Sequence, residues 1–161
     1  MPNIVVIGGT DSSAGAGITA DLETIFKLNG KCFPVFTAAT VQGPGQYFNS
    51  QVIPSSVINE QFDSILNQKI DAIKVGMLPN KESIEAVSQF FERINCPRII
   101  LDPVIKSSSG ASLLPEQDLG YFKEVLFPHI SLVTPNLFEA NRLTGQNYWS
   151  SPDFPHLAQS F

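Results

Sequence analysis

The sequence predicts an α/β fold: three layers, with a mostly parallel sheet and helices on both of its faces. Three observations predict it. Apolar runs of strand length alternate with amphipathic segments of helical period, the pattern of a parallel sheet covered on two sides. The first run, Ile4-Val5-Val6-Ile7, enters a Gly/Ser-rich turn that opens onto a helix, Gly8-Gly9-Thr10-Asp11-Ser12-Ser13-Ala14-Gly15-Ala16-Gly17-Ile18. Polar residues fall at the carboxyl ends of the runs, where such sheets bind ligands.

Each element has its own signal. Ile18, Leu22, Ile25 and Leu28 recur at helical spacing, Glu23 and Lys27 form an i,i+4 pair, and Gly30 closes that helix. Phe33 to Val41 reads as the second strand, and Gln42 to Pro54 as a loop with a short edge strand. Ser55 or Ser56 caps a second helix with Val57, Phe62, Ile65 and Leu66 inward. Asp71 to Gly76 is the third strand. Asn80 caps a helix carrying Ile84, Val87, Phe91 and Ile94. Arg98 to Leu101 is the fourth strand and stops at Asp102-Pro103. Leu119, Phe122 and Leu126 line another helix, Ser131 to Val133 is the fifth strand, and Asn136 begins a short helix through Leu143. No internal repeat is visible. Residues 1–145 therefore read as one region and 146–161 as a tail.

Composition narrows the function. The chain has 161 residues, enough for one domain with a real core, and a formal net charge of -5. No basic stripe exists, which argues against nucleic acid as a partner. The apolar runs are too short to span a membrane. The N-terminus enters the first strand directly, which predicts no signal peptide and a cytoplasmic protein. Cys32 and Cys96 lie in no metal or redox spacing and read as free thiols; His129 and His156 have no partner at ligand spacing.

The polar residues at the strand ends are Asp11, Gln42, those beside Met77, Asp102 and Asn136. They come from separate parts of the chain and are expected to converge on one crevice. Each also has a purely structural reading. Asp21 suits the first turns of a helix, Asp102-Pro103 a turn, and Asn136 with Glu139 a capping box. There is no Walker A sequence and no G-x-S-x-G elbow. Gly15-Ala16-Gly17-Ile18-Thr19-Ala20 fits a loose dinucleotide pattern, but it stands away from the strand and no acidic ribose ligand follows.

Taken together, five ordered segments resemble one family. They are Gly9 to Ile18 with Ala20-Asp21-Leu22, Thr37-Ala38-Ala39-Thr40-Val41-Gln42, Lys74-Val75-Gly76-Met77-Leu78, Leu101-Asp102-Pro103-Val104 and Thr134-Pro135-Asn136-Leu137-Phe138-Glu139-Ala140. The likeness is to the hydroxymethylpyrimidine and phosphomethylpyrimidine kinases of thiamine biosynthesis, in the ribokinase-like superfamily and close to pyridoxal kinases. The resemblance implies ATP and Mg²⁺ as cofactors. It implies that Asp21 and Gln42 bond the pyrimidine, lined by Gly9, Met77 and Val104. Asn136 and Glu139 would face the nucleotide phosphates, with Asp102 nearby and Glu139 on the Mg²⁺ side. It also implies a homodimer.

The resemblance has gaps. Ser108 stands where the family has a lysine and Ala111 where it has an aspartate; Gly43-Pro44-Gly45 follows the glutamine, and Ala14 replaces a glycine. The family's later segment, with its anion hole, adenine pocket and general base, has no counterpart here. The fold is thus expected to be ribokinase-like and truncated on its C-terminal side, and no catalytic base is assigned. Alternatives are a non-catalytic pyrimidine-binding module, a decayed or split kinase whose C-terminal half is a separate chain, and pyridoxal as substrate.

Overall fold

The structure is a computed structural model and describes residues 1–43, 46–107 and 109–146. In chain order the elements are β1 (Asn3–Gly9), α1 (Gly17–Lys27), β2 (Lys31–Gly43), β3 (Gln46–Val52), α2 (Ser55–Ile65) and β4 (Ala72–Val75). There follow α3 (Lys81–Arg93), β5 (Ile99–Leu101), α4 (Leu119–Leu126), β6 (Leu132–Val133) and α5 (Leu137–Thr144). The strands form one sheet in the order β3-β2-β1-β4-β5-β6. All pairings are parallel except β2 with β3. The expected tail beyond residue 146, His156 with it, lies outside the described residues, as do Pro44, Gly45 and Ser108.

Alternation along β1 explains the three layers. Val5 and Ile7 point into the larger core, with Phe62 of α2, Phe90 of α3 and Phe122 of α4. Val6 points the other way, against Ile18 and Ile25 of α1. A central strand that buries both faces has to be apolar along its buried stretch, and Val5 to Gly9 are. Phe62 and Phe90 stack with centroids 4.0 Å apart and planes 7° from parallel, joining α2 to α3. Among the described residues no helix is long and apolar enough to cross a membrane.

Caps set the helix ends. Asn80 and Ser83 form a reciprocal capping box on α3, and Asn136 and Glu139 do the same on α5. Four expectations need correction. Neither Ser55 nor Ser56 caps α2; the N-cap is Pro54, whose carbonyl accepts from the N–H groups of Val57 and Ile58. That setting turns Ile58, Phe62 and Ile65 inward and leaves Val57 41 % exposed. Leu28 is 74 % exposed because α1 stops at Lys27 and Leu28 is already its C-cap. Gln42 belongs to a strand, because antiparallel pairing with β3 carries β2 on to Gly43.

The end of α1 also divides a task that the sequence gives to Gly30 alone. Asn29 takes the left-handed conformation, at φ 56°. Its N–H donates to Phe26 O and that of Gly30 to Ile25 O, at 3.0 and 2.8 Å, which is a Schellman closure. Gly30 is needed for space: a Cβ there would lie 2.7 Å from Ile25 Cγ2. Gly30→Ala is therefore expected to cost about 1–3 kcal/mol through overpacking. Asn29→Gly should stay within about 1 kcal/mol of wild type, because glycine tolerates the same backbone. Urea denaturation of both variants checks this, and the reverse order of stabilities would contradict it.

Candidate functional site

The site begins where β1 runs out. Gly17 has φ 59°, and a Cβ on it would lie 2.5 Å from Gly9 O. Only glycine lets the start of α1 come so close to the end of β1. A Cβ on Gly9 would meet Met77 Sδ at 3.0 Å and Thr40 Cγ2 at 3.3 Å. The N-cap of α1, Ala16, supplies no side-chain cap. The first-turn N–H groups are thus available to a ligand or to the turn itself.

Asp11 holds that turn. It is 5 % exposed, and its Oδ1 accepts from both the N–H and the hydroxyl of Ser13 at 2.8 Å. Thr19 Oγ1 donates to Asp11 O at 3.0 Å and accepts from Asp11 N at 3.2 Å. Burial pushes the Asp11 carboxyl up. The bonds from Ser13, with backbone help from Ala16 and Gly15, outweigh it and bring the group below its usual range. Asp11 was expected to face the crevice, and its carboxylate instead fastens the loop.

A cavity of about 250 Å³ opens at the carboxyl ends of β1, β2 and β4. Gly9, Gln42, Met77, Val104 and Asp102 all line it. The threonine Thr40 is locked beside it, accepting no slack: its N–H donates to Thr10 Oγ1 at 3.0 Å and its hydroxyl to Thr10 O. Gln42 Nε2 also approaches Thr10 O, at 3.4 Å. The wall is thus mainly apolar, with Gln42, Asp102, Lys74 and Lys106 as polar and charged members, a mixture suited to a small polar-edged heteroaromatic molecule.

Asp21 does not line this cavity. Its Oδ2 accepts from Lys74 Nζ at 2.8 Å, and the same ammonium lies 3.5 Å from Asp102 Oδ2. Lys74, with Asp102, reaches the cavity wall. Lys74 lies in a segment that carries the family resemblance, which assigns it no role. Its signal was there: a lone cation in the otherwise apolar strand Ala72-Ile73-Lys74-Val75. Thr10, Thr40, Tyr47 and Ser107 also line or brace the cavity; Thr10 and Thr40 fall within segments that carry the family resemblance, and nothing in the local sequence singles out Tyr47 or Ser107.

Asn136 and Glu139 fall in an adjoining cleft of about 420 Å³, with Lys106, Ser107, Gly110 and Phe138. Both serve the α5 cap: Asn136 N donates to Glu139 Oε2 at 2.8 Å and Glu139 N to Asn136 Oδ1 at 2.9 Å. Glu139 is 5 % exposed. Burial pushes its carboxyl up and the Asp102 charge adds to this, against the backbone N–H groups of Asn136 and Ile105. Asp102 differs, since 38 % of its side chain is exposed. Among the described residues no three His, Cys, Asp or Glu groups gather to hold a metal. One open carboxylate still fits magnesium bound chiefly through ligand phosphates and water. His129 packs on the Phe91 ring at 5.6 Å. The Cys32 thiol is pushed up to about 11 by burial and by the Asp21 charge, which disfavours the thiolate.

The mixed six-stranded sheet between helices is of the ribokinase-like fold, shared with solved kinase structures. The chain belongs to the phosphomethylpyrimidine kinase family, whose model, described as "Phosphomethylpyrimidine kinase", matches residues 11–161. It is 35 % identical over 156 residues to the hydroxymethylpyrimidine/phosphomethylpyrimidine kinase of Bacillus subtilis, covering 96 % of this chain and 58 % of that one. The crystal structure of phosphomethylpyrimidine kinase from Clostridium difficile matches with a TM-score of 0.88 at 28 % identity, over 99 % of this chain and 71 % of that one. Pyridoxal kinase from Staphylococcus aureus, in complex with AMP-PCP and pyridoxal, matches with a TM-score of 0.86 at 30 % identity, over 99 % of this chain and 57 % of that one. The chain spans from 26 % to 60 % of the length of curated relatives that it matches.

The state of Asp11 gives a pH test. A carboxyl held below its ordinary value adds stability above about pH 3.8 and loses it as the pH falls through the folded value. Asp11→Ala should cost about 1–3 kcal/mol at pH 7. The gap to wild type should shrink as the pH drops below 3.8. Denaturation curves at stepped pH measure it, and a gap that stays constant into acid would mean that the charge is not what holds the turn.

Proposed function

We propose that this protein binds a hydroxymethylpyrimidine or its phosphate and serves ATP-dependent phosphoryl transfer to it, as a phosphomethylpyrimidine kinase of thiamine biosynthesis. One observation carries the reading. Gly9, Gln42, Met77 and Val104, from four separate segments, line a single cavity of about 250 Å³. An aminopyrimidine is flat, neutral and edged by donors and acceptors. It fits a slot of Met77 and Val104 with the Gln42 amide at its edge. In this reading Asp21 contributes through Lys74, keeping that ammonium beside the substrate.

The adjoining cleft is read as the phosphate side. Asn136 and Glu139 shape it, and Asp102 would hold Mg²⁺ together with nucleotide phosphates. The metal, when bound, would draw charge from the phosphoryl oxygens. Support for ATP comes from the related pyridoxal kinase solved with AMP-PCP. The same relative favours pyridoxal as a second substrate, since its ring is also flat and polar-edged. A homodimer belongs to the proposal, supported by the exposed apolar side chains of Val41, Phe48 and Val52 around the β3 edge. So does a cytoplasmic location, supported by the free thiols Cys32 and Cys96.

Calorimetric titration of the full chain with hydroxymethylpyrimidine tests the central claim. Binding is expected, and Gln42→Ala should weaken it by about 1–3 kcal/mol, roughly 5- to 150-fold. No heat and no rise in melting temperature at millimolar ligand would overturn it. Binding of pyridoxal alone would move the assignment to the second substrate.

A further inference from the structure

The two cavities share a wall, and that wall carries a cation. Lys106 and Ser107 line both the Gln42–Met77 cavity and the cleft beside Asn136 and Glu139. Two lysines reach the first cavity, and they differ electrically. The Lys74 charge is met by Asp21 and Asp102. Lys106 has no ion-pair partner among the described residues. Its Nζ instead sits 4.4 Å from the centroid of the Phe138 ring, in the first turn of α5. Glu116 feels the Lys106 charge at longer range, but its carboxylate is bonded to Arg142.

An aromatic face steadies an ammonium without neutralising it. The backbone around Lys106 is also fixed. Lys106 bridges to Ser112, Ser107 N donates to Ala111 O at 2.9 Å, and Leu113 N donates to Ile105 O at 2.9 Å. An ammonium group without an ion-pair partner among the described residues is therefore held where the two cavities meet. Neither the i,i+4 pattern nor any local ion pair calls for a lysine there.

We infer that Lys106 contacts a ligand phosphate at this seam. The inference rests on the functional reading above and names the residue that meets the phosphate. The shared chemistry is a phosphate ester, and it can arrive from either side. It is either the phosphate of a phosphorylated pyrimidine in the first cavity or the terminal phosphate of a nucleotide in the second. A compact ammonium acts as a point charge toward such a group. At the boundary between donor and acceptor it faces the oxygens over which charge spreads during transfer. Lys106 makes no covalent bond in this role.

Calorimetry on the full chain with three probes tests it: neutral hydroxymethylpyrimidine, its phosphate, and AMP-PCP. Lys106→Met should leave hydroxymethylpyrimidine affinity within about twofold. It should weaken one or both phosphate ligands about 10- to 100-fold, and Lys106→Arg should recover most of that. Loss for the pyrimidine phosphate alone assigns the contact to the substrate, and loss for AMP-PCP alone assigns it to the nucleotide. Phe138→Leu removes the ring that steadies the ammonium and should give a smaller loss in the same direction. Unchanged affinity of both phosphate ligands in Lys106→Met would overturn the inference, as would a wild-type chain that binds neither. If AMP-PCP binding depends on Lys106 while hydroxymethylpyrimidine does not bind at all, the pyrimidine reading fails and this one stands.

Discussion

The contact between the end of β1 and the start of α1 governs the rest of the molecule. Gly17 in the left-handed conformation lays the helix against Gly9 O, with no room for a Cβ. A helix brought that close leaves a tight turn between, and the turn needs donors and acceptors of its own. Asp11 supplies them with its carboxylate and Thr19 with its hydroxyl. The same closeness keeps the floor of the cavity bare backbone, so that Met77 and Thr40 can close on Gly9. A larger residue at either glycine would push on the sheet, the helix and the cavity together.

Charge is distributed around that frame by a simple rule. Carboxylates that serve the fold are buried and bonded to backbone N–H groups, as Asp11 and Glu139 are. The outcomes differ because the surroundings do. Several bonds bring Asp11 below its usual range, whereas burial, with a smaller push from the like charge of Asp102, raises Glu139. Asp102 keeps an open side at the mouth, shared with Lys74. The first cavity therefore holds the open carboxylate and the compensated lysine, the adjoining cleft holds the bonded carboxylate of Glu139, and Lys106, whose partner is an aromatic ring, stands on the wall they share.

Where the sequence could be read, the signal was local. The capping boxes follow from a side chain and a backbone N–H three residues apart, so Asn80 and Asn136 were legible as caps. Gly9, Gln42, Met77 and Val104 were legible because their motifs resemble a family, and the fold gathers them at one cavity. Pairs distant in sequence were not. Lys74 and Asp21 are 53 positions apart, and only the register of β4 beside β1 brings them together. Lys106 and Phe138 meet because β5 and β6 are neighbours whose following segments leave the sheet at the same end.

The sequence by itself determined the order of strands and helices, the doubly covered sheet and the glycine turn that opens the site. Hydrophobic period, helix caps and steric limits at glycine act over a few residues, and a chain displays them directly. Tertiary structure decided which face of α2 turns inward, how far β2 continues, and that Asp21 bonds Lys74 instead of lining the cavity. It also decided that Lys106 stands on the wall between two cavities, over the Phe138 ring. Those outcomes depend on neighbours supplied by distant segments. Electrostatic pairing reads distance in space, and no spacing along the chain records it.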